Sequence, residues 1–90
     1  MSDVQETLRS RSNVYGPFKG HAEIAQGIKD LMRATPQWQY ATPEQREALD
    51  MIAHKIGRLL NGTPGHQDSW HDIAGYATLV DKIIGEEPEA

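Results

Sequence analysis

The chain has no cysteine among its 90 residues, which excludes a disulfide framework and any thiolate metal site. A domain of this length buries only about 60% of the surface its unfolded chain exposes, so it must lean on tight helix packing or on oligomerisation. No apolar run approaches the roughly 20 residues of a membrane span. The opening MSDVQETLRSRS has no apolar stretch after its charges, as a secretory signal would. A cytoplasmic protein with no membrane partner is expected. An excess of base is also missing: 13 acids against 9 Lys and Arg leave a net charge of −4. General affinity for nucleic acid needs a basic face, so nucleic acid is not the expected partner. Only Arg9, Arg11 and Lys19 cluster locally. No glycine-rich phosphate loop follows a strand, and no serine or cysteine nucleophile constellation is visible, so no catalytic residue is assigned. Internal repeats, low-complexity tracts and strand-like alternation are absent as well.

What is present is helical periodicity. The expected fold is all-α, a small bundle of three main helices with a short helix at the N-terminus, in one domain over 1–90. The ends at about 1–3 and 86–90 are expected to fray, the acidic EEPEA tail among them. Ser2 and Gln5 resemble a capping box for a helix over about 2–11, whose apolar stripe is only Val4 and Leu8. SNVYGPF then reads as a turn, with Pro17 in the first turn of a helix over about 17–34. The loop TPQWQYATP carries Trp38 and Tyr40, either folded back as a lid over the core or exposed as a contact site.

Thr42, Pro43 and Gln45 make a strong helix start, and that helix should run to about residue 60 before Gly62. Leu49, Ile52, Ala53, Ile56, Leu59 and Leu60 share one face, while Glu47, Asp50, His54, Gly57, Arg58 and Asn61 fall on a flank. Lys55 lies on the opposite flank. After NGTPGHQ, Asp68 can cap a last helix ended by Gly85, with Trp70, Ile73, Ala77, Val80 and Ile84 as its stripe. Asp72, Tyr76, Leu79 and Ile83 form an adjoining row, which sets Asp72 at the core margin. Gly75 in mid-helix costs about 1 kcal/mol against alanine, and close approach of another helix would explain it, as it would for Gly57.

A carboxylate at a core margin needs a cation. Lys55 or Arg58 can supply one, either as a structural ion pair tying the hairpin or as part of a cleft holding a phosphate or carboxylate. Asp50 and His54 have the i, i+4 spacing of two ligands to one metal ion, and a third would have to come from Glu47, His21 or the last helix. Two ligands do not make a site, so no metal site is assigned. The expected ligand-binding set is Tyr15, His54, Lys55, Arg58, Asp72 and Tyr76, and the expected partner-contact set is Trp38, Tyr40 and Trp70.

Three stretches also carry a family resemblance. Tyr15-Gly16, Lys55-Ile56-Gly57-Arg58-Leu59 and Asp72-Ile73-Ala74-Gly75-Tyr76-Ala77 resemble the pattern of a small domain found in bacteriophage and prophage genomes. That resemblance covers most of the chain and implies residence in the host cytoplasm. More distantly, the chain is similar to the all-α nucleoside triphosphate pyrophosphohydrolases, the group of MazG and the dimeric dUTPases. Those hold magnesium on a triphosphate with a Glu-Glu-x-x-Glu helix and a later Glu-x-x-Asp helix. Here Glu47-x-x-Asp50 is present, the earlier helix is not, and the last helix offers only Asp68 and Asp72. Magnesium would be the cofactor if the similarity extended to activity; otherwise none is expected. The sparse carboxylate set favours binding over catalysis. The expected function is a phage-type accessory protein binding a nucleotide or a nucleotide-metabolism partner. The alternative is a small interaction protein that docks on a host protein, with an active magnesium-dependent hydrolase behind both. A homo-oligomer is expected in each case.

Overall fold

The structure, a computed structural model, describes residues 4–86. They form four α-helices and no strand: α1 (Val4–Tyr15), α2 (Phe18–Arg33), α3 (Pro43–Asn61) and α4 (Gln67–Glu86), with a single 3-10 turn at Trp38–Tyr40. The all-α expectation holds, with four full helices rather than three and a short one. The expected frayed ends fall largely outside the described residues, although Glu86 is the last residue of α4.

Helix α1 runs through the stretch read as a turn, because Asn13 and Val14 do not break a helix and the Gly16-Pro17 pair does. Gly16 sits at φ +77°, a left-handed conformation that terminates the helix, and its N–H donates to the Ser12 carbonyl at 2.9 Å. Pro17 is extended (φ −63°, ψ 139°) and precedes α2 rather than lying in its first turn. The start of α3 is as read: Thr42 accepts from the Gln45 backbone, the Gln45 side chain accepts from the Thr42 N–H at 3.0 Å, and Pro43 follows. The start of α4 differs. Gln67 is already helical, and Asp68 lies in the first turn, where its charge still suits the helix dipole. The turn before it is held by a His66–Ser69 side-chain hydrogen bond of 3.0 Å and by the Trp70 indole donating to the Pro64 carbonyl at 2.8 Å. Trp70 is thereby exposed rather than part of the apolar stripe, and Gly85 does not end the helix.

Helix α3 lies between α2 and α4 and packs against both, while α1 touches α2 and α3. Arg33 meets Asp50 at 3.1 Å and Asn61 reaches Pro17, so α2 and α3 are antiparallel. The buried apolar side chains among the described residues are mostly small: Ala25, Ala48 and Ala53, with Leu59 the one large side chain. Small residues let the three helix axes come close but leave little volume in the core.

Candidate functional site

Most of the polar flank of α3 is turned inward: Asp50, His54, Gly57, Arg58 and Asn61 face α2 and the end of α1, while Glu47 is exposed. Gly57 is buried there, and a Cβ at this position would sit 3.0 Å from His21 Nδ1 and 3.2 Å from the Ala25 Cβ. The missing side chain is what admits α2. The approach expected for Gly57 therefore occurs, but with α2 rather than α4. Gly75 has nothing within 4 Å of its would-be Cβ among the described residues, so its tolerance is not explained by contact within the chain.

One turn beyond Gly57, Asn61 clamps the α1–α2 junction. Its amide nitrogen donates to the carbonyls of Tyr15 and Pro17, each at 2.8 Å, and Thr63 donates to the Val14 carbonyl at 3.0 Å. Gly16 and Gly20 leave the room Asn61 occupies, since a side chain on either would overlap it. These glycines are more than 40 positions from Asn61 along the sequence; in space they gather around its amide.

The clamp sets Tyr15 against Arg58. The guanidinium carbon lies 4.4 Å from the ring centre, and the His66 ring meets Tyr15 edge-on at 5.4 Å. Beside them is a cavity of about 290 Å³. Helix α1 lines it with Leu8, Arg11, Ser12 and Tyr15, spaced i, i+3, i+4, i+7 on one face. Phe18 and His21 of α2 and His54 and Arg58 of α3 complete it.

His21 and His54 meet edge to face with ring centres 4.5 Å apart. Burial, then the neighbouring His21, then the positive charge of Arg58 push His54 down from 6.5 to about 4. Burial and Arg58 lower His21 too. Both imidazoles are neutral at pH 7, each with one donor and one acceptor nitrogen. His21 Nδ1 is buried and has no hydrogen-bond partner among the described residues.

Of the six residues expected to bind ligand, Tyr15, His54 and Arg58 come together at this cavity. Lys55, Asp72 and Tyr76 lie elsewhere. Lys55 and Asp72 form an ion pair of 2.9 Å across the α3–α4 contact, with side chains 12% and 46% exposed. The Lys55 hydrogen bond, then its charge, holds the Asp72 carboxyl below the ordinary value. Asp72 is thus half in water rather than at a core margin. Tyr76 borders an apolar groove with Leu79 and Ile83. Of the aromatics expected to make contacts, Trp38 folds back half-buried between the guanidinium groups of Arg33 and Arg46, at 5.3 and 5.9 Å, while Tyr40 and Trp70 are exposed. Sequence reasoning left Arg11, Phe18 and Asn61 out of the ligand-binding set and weighed His21 only as a third metal ligand. Extending α1 to Tyr15 would have put Arg11 on the same face as Tyr15.

The described residues do not form the magnesium cluster of the pyrophosphohydrolases. Asp50 is engaged by Arg33, Glu47 borders the groove with Tyr76, and His54 is packed on His21. Among the described residues no three His, Asp or Glu converge on one point. No helix among them is long and apolar enough to cross a membrane.

A family model described as a domain of unknown function, DUF6378, matches residues 1–84. The chain belongs to the DUF6378 family. No curated protein and no solved structure matches it. In this DUF6378 chain the cavity between α1, α2 and α3 is the place where cations, aromatic rings and neutral imidazoles meet.

Proposed function

We propose that the chain is a phage-type accessory protein that binds a nucleotide through the cavity between α1, α2 and α3. One observation carries the reading: Arg58, Arg11 and two neutral histidines border the same 290 Å³ space. That volume sits at the small end of ligand pockets, which span about 300–1,000 Å³. Guanidinium groups match phosphate oxygens in pairs. The neutral imidazoles offer hydrogen bonds without charge, as a nucleobase or sugar requires. Phe18, exposed at the rim, offers a face for a base to stack on. The trough beside Tyr40 is wider, about 420 Å³, but no charged side chain lines it.

The distant similarity to MazG-like enzymes supports a nucleotide as ligand, while the scattered carboxylates favour binding over hydrolysis. The second reading, docking on a host protein, draws on the exposed Tyr40 and Trp70. Self-association belongs to either reading, because the buried side chains are few and mostly small.

Thermal-shift measurements with nucleoside mono-, di- and triphosphates, each with and without magnesium, test the proposal. At least one nucleotide is expected to raise Tm, since a ligand at about 100 times its Kd adds roughly 2.7 kcal/mol. Arg58→Ala should remove that rise while the ligand-free Tm falls by no more than a few degrees. No response to any nucleotide, or a response that survives both Arg58→Ala and Arg11→Ala, would overturn it.

A further inference from the structure

We infer that a second copy of the chain packs on the face of the α2–α3–α4 layer opposite the α1 cavity. The inference deepens the expectation of self-association and is independent of the nucleotide reading.

The two faces of the layer differ. Helix α1 partly covers one. On the other, apolar residues of α3 and α4 border an open groove, flanked at one end by the segment that carries Trp38 and Tyr40. Leu49 and Ile52 of α3 border a groove of about 360 Å³ with Ala77 and Val80 of α4. That groove shares Ala41, Gln45 and Leu49 with the trough beside Tyr40, so the two are continuous. Helical spacing carries Leu60, eleven residues on, to the side of Leu49, and Ile84 to the side of Ala77. On α2, Leu31 lies on the flank away from Phe18, which turns toward the α1 cavity. Leu31, Leu49, Leu60 and Ile84 are 73%, 41%, 66% and 53% exposed. Exposed leucines in isolation need no explanation, but apolar side chains gathered round an open groove between two helices do.

Area and charge select the occupant. A folded monomer of 10.1 kDa should expose about 5,300 Å² by the usual size scaling. This chain exposes 6619 Å². The excess of about 1,300 Å² is more than the roughly 800 Å² that each partner gives to a standard interface. The radius of gyration, 15.7 Å, likewise exceeds the approximately 12 Å of a compact domain of this length. A two-fold interface must be self-complementary, because the same patch meets itself. An uncharged aliphatic face satisfies that condition, whereas a charged one would repel its copy. No ionisable residue lines the groove itself, and Asp81, exposed one turn from Ala77 and from Ile84, stands outside that lining.

Sedimentation equilibrium and filtered NMR on the full chain test this. The parent is expected at twice the 10.1 kDa of one chain. Leu49→Glu should yield single chains, and Leu79→Glu, on the other flank of α4, should leave the dimer intact. Because Leu49→Glu can also unfold a chain with so small a core, a second measurement uses the parent alone. In a mixture of isotope-labelled and unlabelled chains, intermolecular NOEs are expected at the Leu49, Ile52 and Val80 methyls. A monomeric parent would sink both self-association and this face. A dimer whose intermolecular NOEs fall on Leu79 or on α1 would keep self-association and overturn this face.

Discussion

The two flanks of α3 make contacts of opposite kinds. Toward α2 and the turn before it α3 presents Gly57, Ala53, His54 and Asn61, which make a close backbone approach, a ring contact with His21 and hydrogen bonds to the Tyr15 and Pro17 carbonyls. Toward α4 it presents Ala48, Ile52 and Leu59 and one ion pair, and grooves stay open on both sides of the contact. The flank that looks polar on a helical wheel is the closely fitted one. Small and polar residues let backbones approach, and a fitted backbone can aim side chains at a ligand. The aliphatic flank fits less closely and leaves apolar surface over, which is where a second copy is placed.

The sharpest way to break this contrast is to add a side chain at one glycine of each helix. Gly57→Val puts a branched side chain against His21 and Ala25, where even a Cβ stands at 3.0–3.2 Å. Overpacking of this kind costs about 1–3 kcal/mol, which for a domain this size lowers Tm by roughly 4–8 °C per kcal/mol. Gly75→Ala meets nothing within 4 Å. It should stabilise by up to about 1 kcal/mol through helix propensity and leave the oligomer mass unchanged. Thermal denaturation followed by circular dichroism reads both. Equal effects at the two glycines would mean that α2 and α4 approach α3 alike.

The helices themselves were legible in the sequence, because caps and periodicity are local. Thr42, Pro43 and Gln45 announce α3 with no help from the rest of the chain. The end of α1 was less legible: Asn13 counted as a turn residue, though only Gly16 needs the left-handed conformation. Part of the candidate site was legible through Tyr15, His54 and Arg58, which the sequence places in one expected set and the structure places at one cavity. Lys55 and Asp72 were grouped with them because a helical wheel does not say which neighbour lies on which side. The wheel showed Asn61 and Gly57 as a flank, and only the packing of α2 shows that this flank is inside. Gly16 and Gly20 are 41 to 45 positions from Asn61 along the chain, and no local pattern links them.

Removing the clamp is the next largest effect. Asn61→Ala deletes the donor to two carbonyls, each bonded at 2.8 Å. The Tyr15 acceptor is partly buried and the Pro17 acceptor exposed, so the loss costs about 1–3 kcal/mol, most of it at Tyr15. The loss should also loosen Tyr15, which the clamp holds beside Arg58. Hydrogen exchange should therefore quicken at the C-terminal end of α1 more than in α4. Uniform quickening would mean that Asn61 supports the whole fold rather than the junction.

The histidine pair adds a dependence on pH that the aliphatic flank lacks. His54 titrates at about 4 in the folded chain and 6.5 in the unfolded one. Between these values the unfolded chain binds more protons, so stability rises with pH through that window. It is complete above about 6.5 and is lost progressively as the solution is acidified toward 4. Solvent screening of a partly exposed ring limits the loss to about 2 kcal/mol or less. Denaturant unfolding at intervals across the window measures it, and His54→Phe should flatten the curve. An anion held by Arg58 and Arg11 would ease protonation of the pair, so nucleotide affinity should strengthen as pH falls toward 5.

The smallest effect is expected at Lys55 and Asp72, the one ion pair joining α3 to α4 among the described residues. Lys55 is largely covered, and Asp72 is half in water. An exposed carboxylate keeps most of its hydration, so the pair adds little beyond what salt can screen. Asp72→Asn should lower Tm slightly, because the Lys55 ammonium loses its counter-charge but keeps a hydrogen-bond acceptor. Lys55→Met should be nearly neutral, since its covered stem is replaced by an apolar one. The double mutant should cost less than the sum of the two, and that coupling should shrink as salt is raised. Acidification has a matching sign: the carboxyl is held below 3.8 in the fold, so its contribution is complete above that value and fades as pH drops below it. A Tm loss in Asp72→Asn as large as that of Gly57→Val would show that α4 is held by this pair rather than by its aliphatic contacts. The contrast between the two flanks of α3 would then fail.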